Sequence, residues 1–179
     1  MAATASDVVK VARSQVGYRE SGTNHQKYSP AVPGLEWSQN QPWCHTFMSW
    51  VGLKAGAGAI TPKTASCLAG VAWFKARGRF NKTPKKGSFV YYGTGGATHV
   101  ELVVAVDAKN ITTVGGNTSG SLDGKYFNGD GVYEKKVART STRIYGYGHP
   151  AYKAEPKPAA KKPPAKTTAS KKPAPKSGK

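Results

Sequence analysis

Two cysteines and four histidines are the side chains of this sequence best suited to nucleophilic and proton-transfer chemistry. Cys44 follows Gln41-Pro42-Trp43 and opens a predicted helix, whereas Cys67 falls in the middle of another. A helix N-terminus offers free backbone N–H groups and a positive dipole end, which lower the pKa of a thiol and favour the reactive thiolate. Cys44 is therefore the candidate nucleophile, with a buried structural thiol as the alternative, and Cys67 fits that structural role. Trp43 is a candidate wall of a substrate site.

A cysteine nucleophile needs a base to remove its proton, and His99 is the best-placed histidine for that role. It follows the glycine-rich segment 93–96 and opens the most strand-like segment, residues 100–104. A rigid strand end beside a flexible loop suits a side chain that must meet both a thiol and a substrate. The remaining histidines lie in a loop, beside Cys44 on another helix face, and before a proline near the end of the domain: His25, His45 and His149.

A third side chain is expected to accept the ring N–H of His99 and so orient the imidazole towards the thiol. Asn117 is one candidate, because it follows the next predicted strand, although Gly-Gly-Asn is also ordinary turn chemistry. Glu101 is the other, because residues two apart on a strand share a face. If it has no such role, Glu101 is an exposed edge charge. Both candidates stay open.

The elements that must position these residues are helices first and strands afterwards. Spacing and capping residues predict three helices, over residues 7–17, 43–55 and 64–76. A long polar loop over residues 18–42 joins the first two. Segments rich in Val, Ile, Thr and Tyr then predict strands spaced for antiparallel hairpins: 88–92, 99–106, 111–114, 131–138 and 143–147. This order predicts an α+β domain over residues 1–152.

The net charge of +18 at neutral pH predicts a polyanionic partner, and it divides between two segments. Residues 153–179 carry nine Lys, one Glu and six Pro without a large apolar side chain, which predicts a disordered basic tail. The tail supplies +8, which leaves +10 on residues 1–152. No segment has the roughly 18 to 20 apolar residues of a membrane span, and no secretory signal is apparent at the N-terminus. We therefore expect synthesis in the cytoplasm without a signal peptide.

The order of these motifs resembles the CHAP amidase/peptidase family, which is related to the NlpC/P60 and papain-like hydrolases. Trp-Cys at a helix start, His-Val at a strand start and Gly-Asn after the next strand carry the resemblance, which covers roughly residues 6–150. Further matching pieces are the segments 15–20, 43–50, 84–90 and 145–150. The resemblance implies a papain-like fold with helices packed on an antiparallel sheet. It also implies a hydrolase that cleaves an amide of bacterial peptidoglycan, as an N-acetylmuramoyl-L-alanine amidase or an endopeptidase. We expect the protein to be a monomer.

By the same resemblance, Cys44 attacks the amide carbonyl, His99 transfers the proton, and Asn117 orients His99. The Cys44 backbone N–H would stabilise the oxyanion, with Gln39 or Gln41 as a second donor. Some members carry a glutamate two residues before the orienting asparagine, where this sequence has Gly115, so Glu101 is the candidate replacement. The acidic calcium-binding loop of certain relatives is missing from residues 18–42, which predicts no metal, and no cofactor is expected.

Without a secretory signal, an enzyme that acts on cell walls would have to leave the cell by lysis, through holin pores or in a phage particle. The resemblance is therefore to CHAP domains of the phage endolysin type, with the basic tail binding anionic wall polymers. The main alternative is a non-enzymatic polyanion-binding protein that uses this tail on nucleic acid or cell wall. A wall-binding module without activity is the third interpretation.

Overall fold

The computed structural model describes residues 3–122 and 125–156, in which three helices pack against a six-stranded sheet. The helices are α1 (Ala5–Arg13), α2 (Cys44–Lys54) and α3 (Cys67–Lys75). The strands are β1 (Phe80–Asn81), β2 (Phe89–Tyr92), β3 (His99–Val106), β4 (Asn110–Leu122), β5 (Lys125–Ala138) and β6 (Ile144–Gly148). Every neighbouring pair is antiparallel in the order β1-β6-β2-β3-β4-β5, which confirms the α+β prediction.

Helices α1 and α3 begin at residues other than the predicted ones, because Thr4 and Ser66 cap them. Thr4 caps α1, its side chain accepting from the Asp7 N–H while the Asp7 carboxylate accepts from the Thr4 N–H. Ser66 caps α3 through the Ala69 N–H, so this helix begins at Cys67. The expectation that Cys67 lies in mid-helix was therefore wrong.

Strand β4 is longer than predicted, because it does not end at Gly115-Gly116-Asn117. The pairing of β4 with β5 shifts register between Gly115 and Thr118 and then continues to Leu122. Asn117 accommodates this bulge with φ of 50°, a left-handed conformation that asparagine tolerates better than most residues. The glycines and asparagine that suggested a turn therefore bend a continuous strand.

Helix α2 lies at the centre of the apolar core and touches both β3 and β4. Phe47, Met48 and Val51 of this helix are fully buried, and so is Trp43 immediately before it. The Tyr28 ring from the long loop stacks on Trp43 at a centroid distance of 5.4 Å. This packing holds the start of α2 against the sheet, which fixes the position of Cys44.

The tail prediction lies mostly outside the described residues, since the description ends at residue 156. The boundary between domain and tail at residue 152 stays a prediction. None of the helices in the described ranges is long and apolar enough to cross a membrane.

Candidate active site

Cys44 is the first residue of α2, where the sequence predicted it. Its side chain is 6% exposed, so it is largely shielded but still reaches a surface cleft. The backbone of α2 begins there because Trp43 precedes it with non-helical dihedral angles, and the Trp43 N–H donates to Asn117 Oδ1 at 3.2 Å. The thiol consequently sits at the positive end of the helix dipole.

His99 is the first residue of β3, and its imidazole lies close enough to the Cys44 thiol for each group to shift the pKa of the other. The other side of the ring meets Glu101, with Nε2 lying 3.0 Å from Glu101 Oε1. This contact leaves Nδ1 for the thiol. Tyr92 on the neighbouring strand stacks on the imidazole at 5.9 Å between ring centroids. The ring is therefore held on one face and at one nitrogen, with 17% of the side chain exposed.

Glu101 is fully buried, and a cage of donors surrounds its carboxylate. Besides His99, it accepts from the hydroxyls of Thr113 at 2.7 Å and Thr118 at 2.9 Å. The Lys135 ammonium lies 2.7 Å from Oε1. A buried carboxylate is tolerated only with such partners, because an unpaired charge in the interior is costly. Glu101 is thus an ionised group built into the sheet, and its interpretation as an exposed edge charge was wrong.

Gly115 on β4 makes room for this carboxylate. A Cβ atom at that position would stand 2.6 Å from Glu101 Cγ and 2.9 Å from Oε1. Both distances are shorter than ordinary van der Waals contact. The glycine that departs from the family pattern therefore leaves the space that the Glu101 side chain occupies.

Asn117 uses its side chain away from His99. Besides accepting from Trp43, it donates from Nδ2 to Gly129 O at 2.9 Å and to Asn24 Oδ1 at 3.1 Å. The contact with the His99 ring that was expected of Asn117 is therefore made by Glu101. Asn117 connects the bulge in β4 to the start of α2, which positions Cys44 indirectly.

The residues expected to bind substrate are divided by the fold. Trp43 is fully buried, and its Nε1 donates to Glu20 at 2.6 Å, so it belongs to the core and does not wall a site. Gln39 is occupied within the loop, exchanging hydrogen bonds with the Gln26 side chain and backbone. Gln41 is exposed and lines the cleft beside Cys44.

The remaining histidines lie away from the thiol chemistry, as expected. His45 is buried between Thr64 O and the Tyr91 hydroxyl, and burial lowers the pKa of its imidazole. His149 contacts Ser88 and Asn81, and His25 contacts Ser21. His99 is the histidine that the structure places at Cys44.

Cys67 is a neighbour of the site that the sequence interpretation set aside. Its Sγ lies 3.6 Å from Cys44 Sγ, and both thiols are free. Helices α2 and α3 therefore present their first residues to each other. Both cysteines are the first residues of their helices, and this shared position could have identified Cys67 as a neighbour of Cys44. The prediction that Cys67 lies in mid-helix concealed it.

Electrostatics favour a thiolate at Cys44 and an imidazolium at His99. The hydrogen bond from Cys67 is the largest influence on Cys44, and with His99 it outweighs burial and holds the pKa of Cys44 well below its usual value. Burial opposes a charge on His99, but contacts with Cys44 and Glu101 outweigh it and raise the pKa of His99 to about 9. Burial likewise opposes ionisation of Glu101, yet His99 and Lys135 hold its pKa below the usual range.

Two clefts meet at Thr98, one on each side of the reactive pair. The Cys44-side cleft, of about 420 Å³, is lined by Cys44, Trp37, Leu68, Pro42, Gln41 and Thr98 among others. The His99-side cleft, of about 690 Å³, includes His99, Asn117, Tyr126, Lys135, Arg143 and Thr98. A substrate lying along both clefts would cross the thiol and the imidazole.

The described ranges contain no group of three or more His, Cys, Asp or Glu side chains arranged to hold an ion. The side chains present at the site are a thiol, an imidazole and a carboxylate in sequence. That set is suited to nucleophilic attack on a carbonyl with proton transfer to the leaving group.

Solved structures include proteins that resemble this chain to different degrees. The peptidoglycan hydrolase RipB from Mycobacterium tuberculosis is similar, with a TM-score of 0.51 and 17% identity over 81% of this chain and 63% of RipB. Ly7917 aligns at 18% identity and a TM-score of 0.47 over 82% of this chain and 62% of Ly7917. Ly7917 with the hydrolysing product of MDP aligns at 19% identity and a TM-score of 0.49, over 82% and 63%. This chain therefore spans less than two thirds of the length of each.

A family model matches the segment that carries the candidate site. No curated protein matches the chain in sequence. The CHAP domain family model matches residues 36–117, a segment that includes Cys44, His99, Glu101 and Asn117. The match runs from the loop before α2 to the bulge in β4.

Proposed function

We propose that this protein is a cysteine hydrolase that cleaves an amide bond of peptidoglycan. The observation that carries the proposal is the alignment of Cys44, His99 and Glu101, in which a thiol at a helix start meets an imidazole anchored by a buried carboxylate. The CHAP domain and the fold shared with a peptidoglycan hydrolase support the choice of substrate. The amide bond is that of an N-acetylmuramoyl-L-alanine amidase or an endopeptidase.

In the first step, the Cys44 thiolate attacks the amide carbonyl and a C–S bond forms. The proton held on His99 passes to the amide nitrogen, so the C–N bond breaks and the amine leaves. Water, deprotonated by the now neutral His99, then attacks the thioester. The thioester carbon becomes a carboxylic acid, and Cys44 is regenerated.

The developing oxyanion lies at the start of α2 in this mechanism. The Cys44 backbone N–H and the helix dipole would stabilise its charge, a contribution that is commonly worth about 3 kcal/mol for a single donor. Gln41 is the better of the two predicted side-chain donors, because it lines the cleft while Gln39 is held by Gln26.

Clearing of isolated Gram-positive walls tests the proposal. We expect the wild type to reduce wall turbidity, and Cys44→Ala to lose this activity while still folding. Equal clearing by both would refute the cysteine mechanism. Alkylation with iodoacetamide should abolish clearing in parallel with modification of Cys44, which separates loss of the nucleophile from loss of the fold.

The high positive charge supports a second candidate, a non-enzymatic protein that binds nucleic acid or cell wall as polyanions. Retention on DNA without any clearing of walls would favour it. The two activities are separable, because the charge is spread over the chain while the proposed chemistry depends on Cys44.

The proposal extends to a phage lysin that reaches the wall after lysis, through holin pores or as part of a particle, and that acts as a monomer. Mass measurement in solution and localisation during infection test these two parts. Binding of anionic wall polymers through residues 153–179 is also part of the proposal, and its test is salt-dependent retention on walls.

A further inference from the structure

Exposed apolar side chains concentrate along the two clefts. Among the described residues, five large apolar side chains are exposed, and three of them line the clefts. Trp37 at 69% and Leu68 at 55% exposure line the Cys44-side cleft, and Tyr126 at 66% lines the other. Exposing this much apolar surface at one place is unfavourable without a ligand, so the concentration indicates substrate contact.

The clefts differ in charge. Apart from the Cys44 thiolate, the Cys44-side cleft has no charged lining residue, and its most prominent group is the flat indole of Trp37. The His99-side cleft contains Lys135 and the exposed Arg143. Its acidic residue, Glu134, forms a bidentate ion pair with Arg13. The first cleft therefore suits a neutral ring with a nonpolar face, and the second suits a chain that carries carboxylates.

The proton transfers determine which part of the substrate lies in each cleft. The leaving nitrogen must come within hydrogen-bond reach of His99 to receive its proton, so the amine portion extends into the His99-side cleft. The acyl portion stays attached to Cys44 as the thioester and extends into the Cys44-side cleft.

We propose that the Cys44-side cleft is a sugar subsite in which Trp37 stacks on the N-acetylmuramoyl ring, so that the scissile bond joins the lactyl carbonyl to L-alanine. This rests on the proposed function and selects one of its two bonds. The muramoyl group is the neutral cyclic acyl portion, and the released stem peptide carries carboxylates that Arg143 would attract, whereas Lys135 is already paired with Glu101. In an endopeptidase the acyl portion would be the carboxylate-bearing stem peptide, which matches the neutral cleft poorly.

The products of wall digestion test the bond assignment directly. We expect mass spectrometry and end-group labelling to find new amino termini on L-alanine and glycan strands with free lactyl carboxylates. New amino termini on a cross-bridge residue or a stem-peptide diamino acid would overturn the inference. A digest without any new ends would instead refute the proposed function, so the two failures are distinguishable.

Two soluble substrates test the role of Trp37, N-acetylmuramoyl-peptide and the matching lactyl-peptide without the sugar ring. We expect the wild type to favour the first in kcat/KM by about tenfold, through a lower KM, as for an interaction of stacking strength. Trp37→Ala should lose this preference, so that its kcat/KM becomes similar on the two substrates. Leu53→Ala removes an exposed apolar side chain outside both clefts and should keep the preference. Retention of the full preference by Trp37→Ala would overturn the sugar subsite.

Discussion

At the residue scale, the proposed reactive group is an ion pair between Cys44 and His99 that is supported at both ends. Glu101 supports the imidazolium through Nε2, and Cys67 supports the thiolate at 3.6 Å. Each support is a single contact between buried or half-buried groups. Each can therefore be removed by one substitution, with an effect on a measurable pKa.

The pH dependence of kcat/KM follows from the His99 pKa of about 9. The imidazolium persists up to that pH, so activity should fall as pH rises through about 9 and the acid for the leaving amine is lost. The Cys44 pKa is held low, so the thiolate and with it the activity should persist below neutral pH. The pH profile of hydrolysis of a soluble substrate measures both limbs, and an alkaline limb at pH 7 would contradict the ion pair.

The same pair links stability to pH. The folded-state pKa of His99 is raised above the unfolded value of about 6.5, so its contribution to stability is complete below that pH and is lost as pH rises through about 9. Denaturant unfolding across this range should show the loss in the wild type. It should show less of it in Cys44→Ala, which lacks the thiolate.

Replacing Glu101 distinguishes the two orienting candidates. Glu101→Gln removes the negative charge beside His99 and should lower its pKa, moving the alkaline limb to lower pH and reducing kcat on the order of 100-fold. Asn117→Ala keeps Glu101 and should leave the alkaline limb in place, although it weakens the start of α2. A shifted alkaline limb in Asn117→Ala with an unchanged one in Glu101→Gln would reverse the assignment.

Removing the Cys67 thiol should raise the pKa of Cys44, since the hydrogen bond from Cys67 is the largest influence on it. The rate of Cys44 alkylation against pH measures this pKa without relying on substrate. Cys67→Ser retains a donor and should recover part of the shift seen in Cys67→Ala. Val71→Ala disturbs α3 packing without touching the thiol, and it should leave the alkylation profile unchanged. Identical profiles for Cys67→Ala and the wild type would show that the contact has no role in ionisation.

At the element scale, the close approach of α2, β3 and β4 depends on glycines in the bulge of β4. A Cβ atom at Gly116 would stand 2.5 Å from the Trp43 ring and 2.7 Å from Phe47 Cβ, so a larger residue would push α2 off the sheet. Gly115 has the corresponding relation to Glu101. The two glycines of the bulge thus leave the space that the start of α2 and the buried Glu101 carboxylate occupy.

Gly115→Ala should displace the Glu101 carboxylate and lower activity, because the added methyl group overlaps atoms that are fixed by several hydrogen bonds. We expect a loss of stability of about 1–3 kcal/mol from overpacking, and a shift of the alkaline limb to lower pH as the support of His99 weakens. Gly58→Ala adds a methyl group where the nearest atoms are 3.9 Å away, so it is the control. Denaturant unfolding and the pH profile provide the two readouts, and wild-type values for both in Gly115→Ala would contradict the account.

At the scale of the whole molecule, a small enzyme-like domain is combined with a large positive charge. The charge of +18 would draw the protein to anionic surfaces over a distance of about 8–10 Å at physiological salt. In the proposed function, the clefts then align a substrate across the thiol. Attraction and chemistry are separate properties, and they should respond differently to salt.

Truncation after residue 156 removes most of the basic tail and should reduce retention on teichoic-acid-containing walls at low salt. The hydrolysis of a small neutral soluble substrate should stay unchanged, because all residues that line the two clefts lie before residue 156. Retention assays at two salt concentrations and rate measurements check the two parts. Undiminished, salt-independent wall binding by the truncated chain would contradict the role of the tail.

Local pattern by itself determined the order of helices and strands, the position of Cys44 at a helix start and that of His99 at a strand start. These features depend on periodicity, capping and β-propensity over a few residues, which are readable along the chain. A longer-range feature was partly readable, because Glu101 shares a strand face with His99. The sequence leaves Asn117 as a second candidate for orienting His99, because the glycines beside it suggest a turn at the end of the next strand.

Tertiary structure alone decided which groups meet. Packing of α2 and α3 on the sheet brings together residues 43, 44, 67, 99 and 117. No local pattern encodes the distances between segments so far apart in the chain. Packing also buried Trp43, turned Asn117 towards the helix start and brought Cys67 to the nucleophile. The opposite characters of the two clefts arise in the same way, because each is assembled from loops, helix starts and strand ends that the sequence separates.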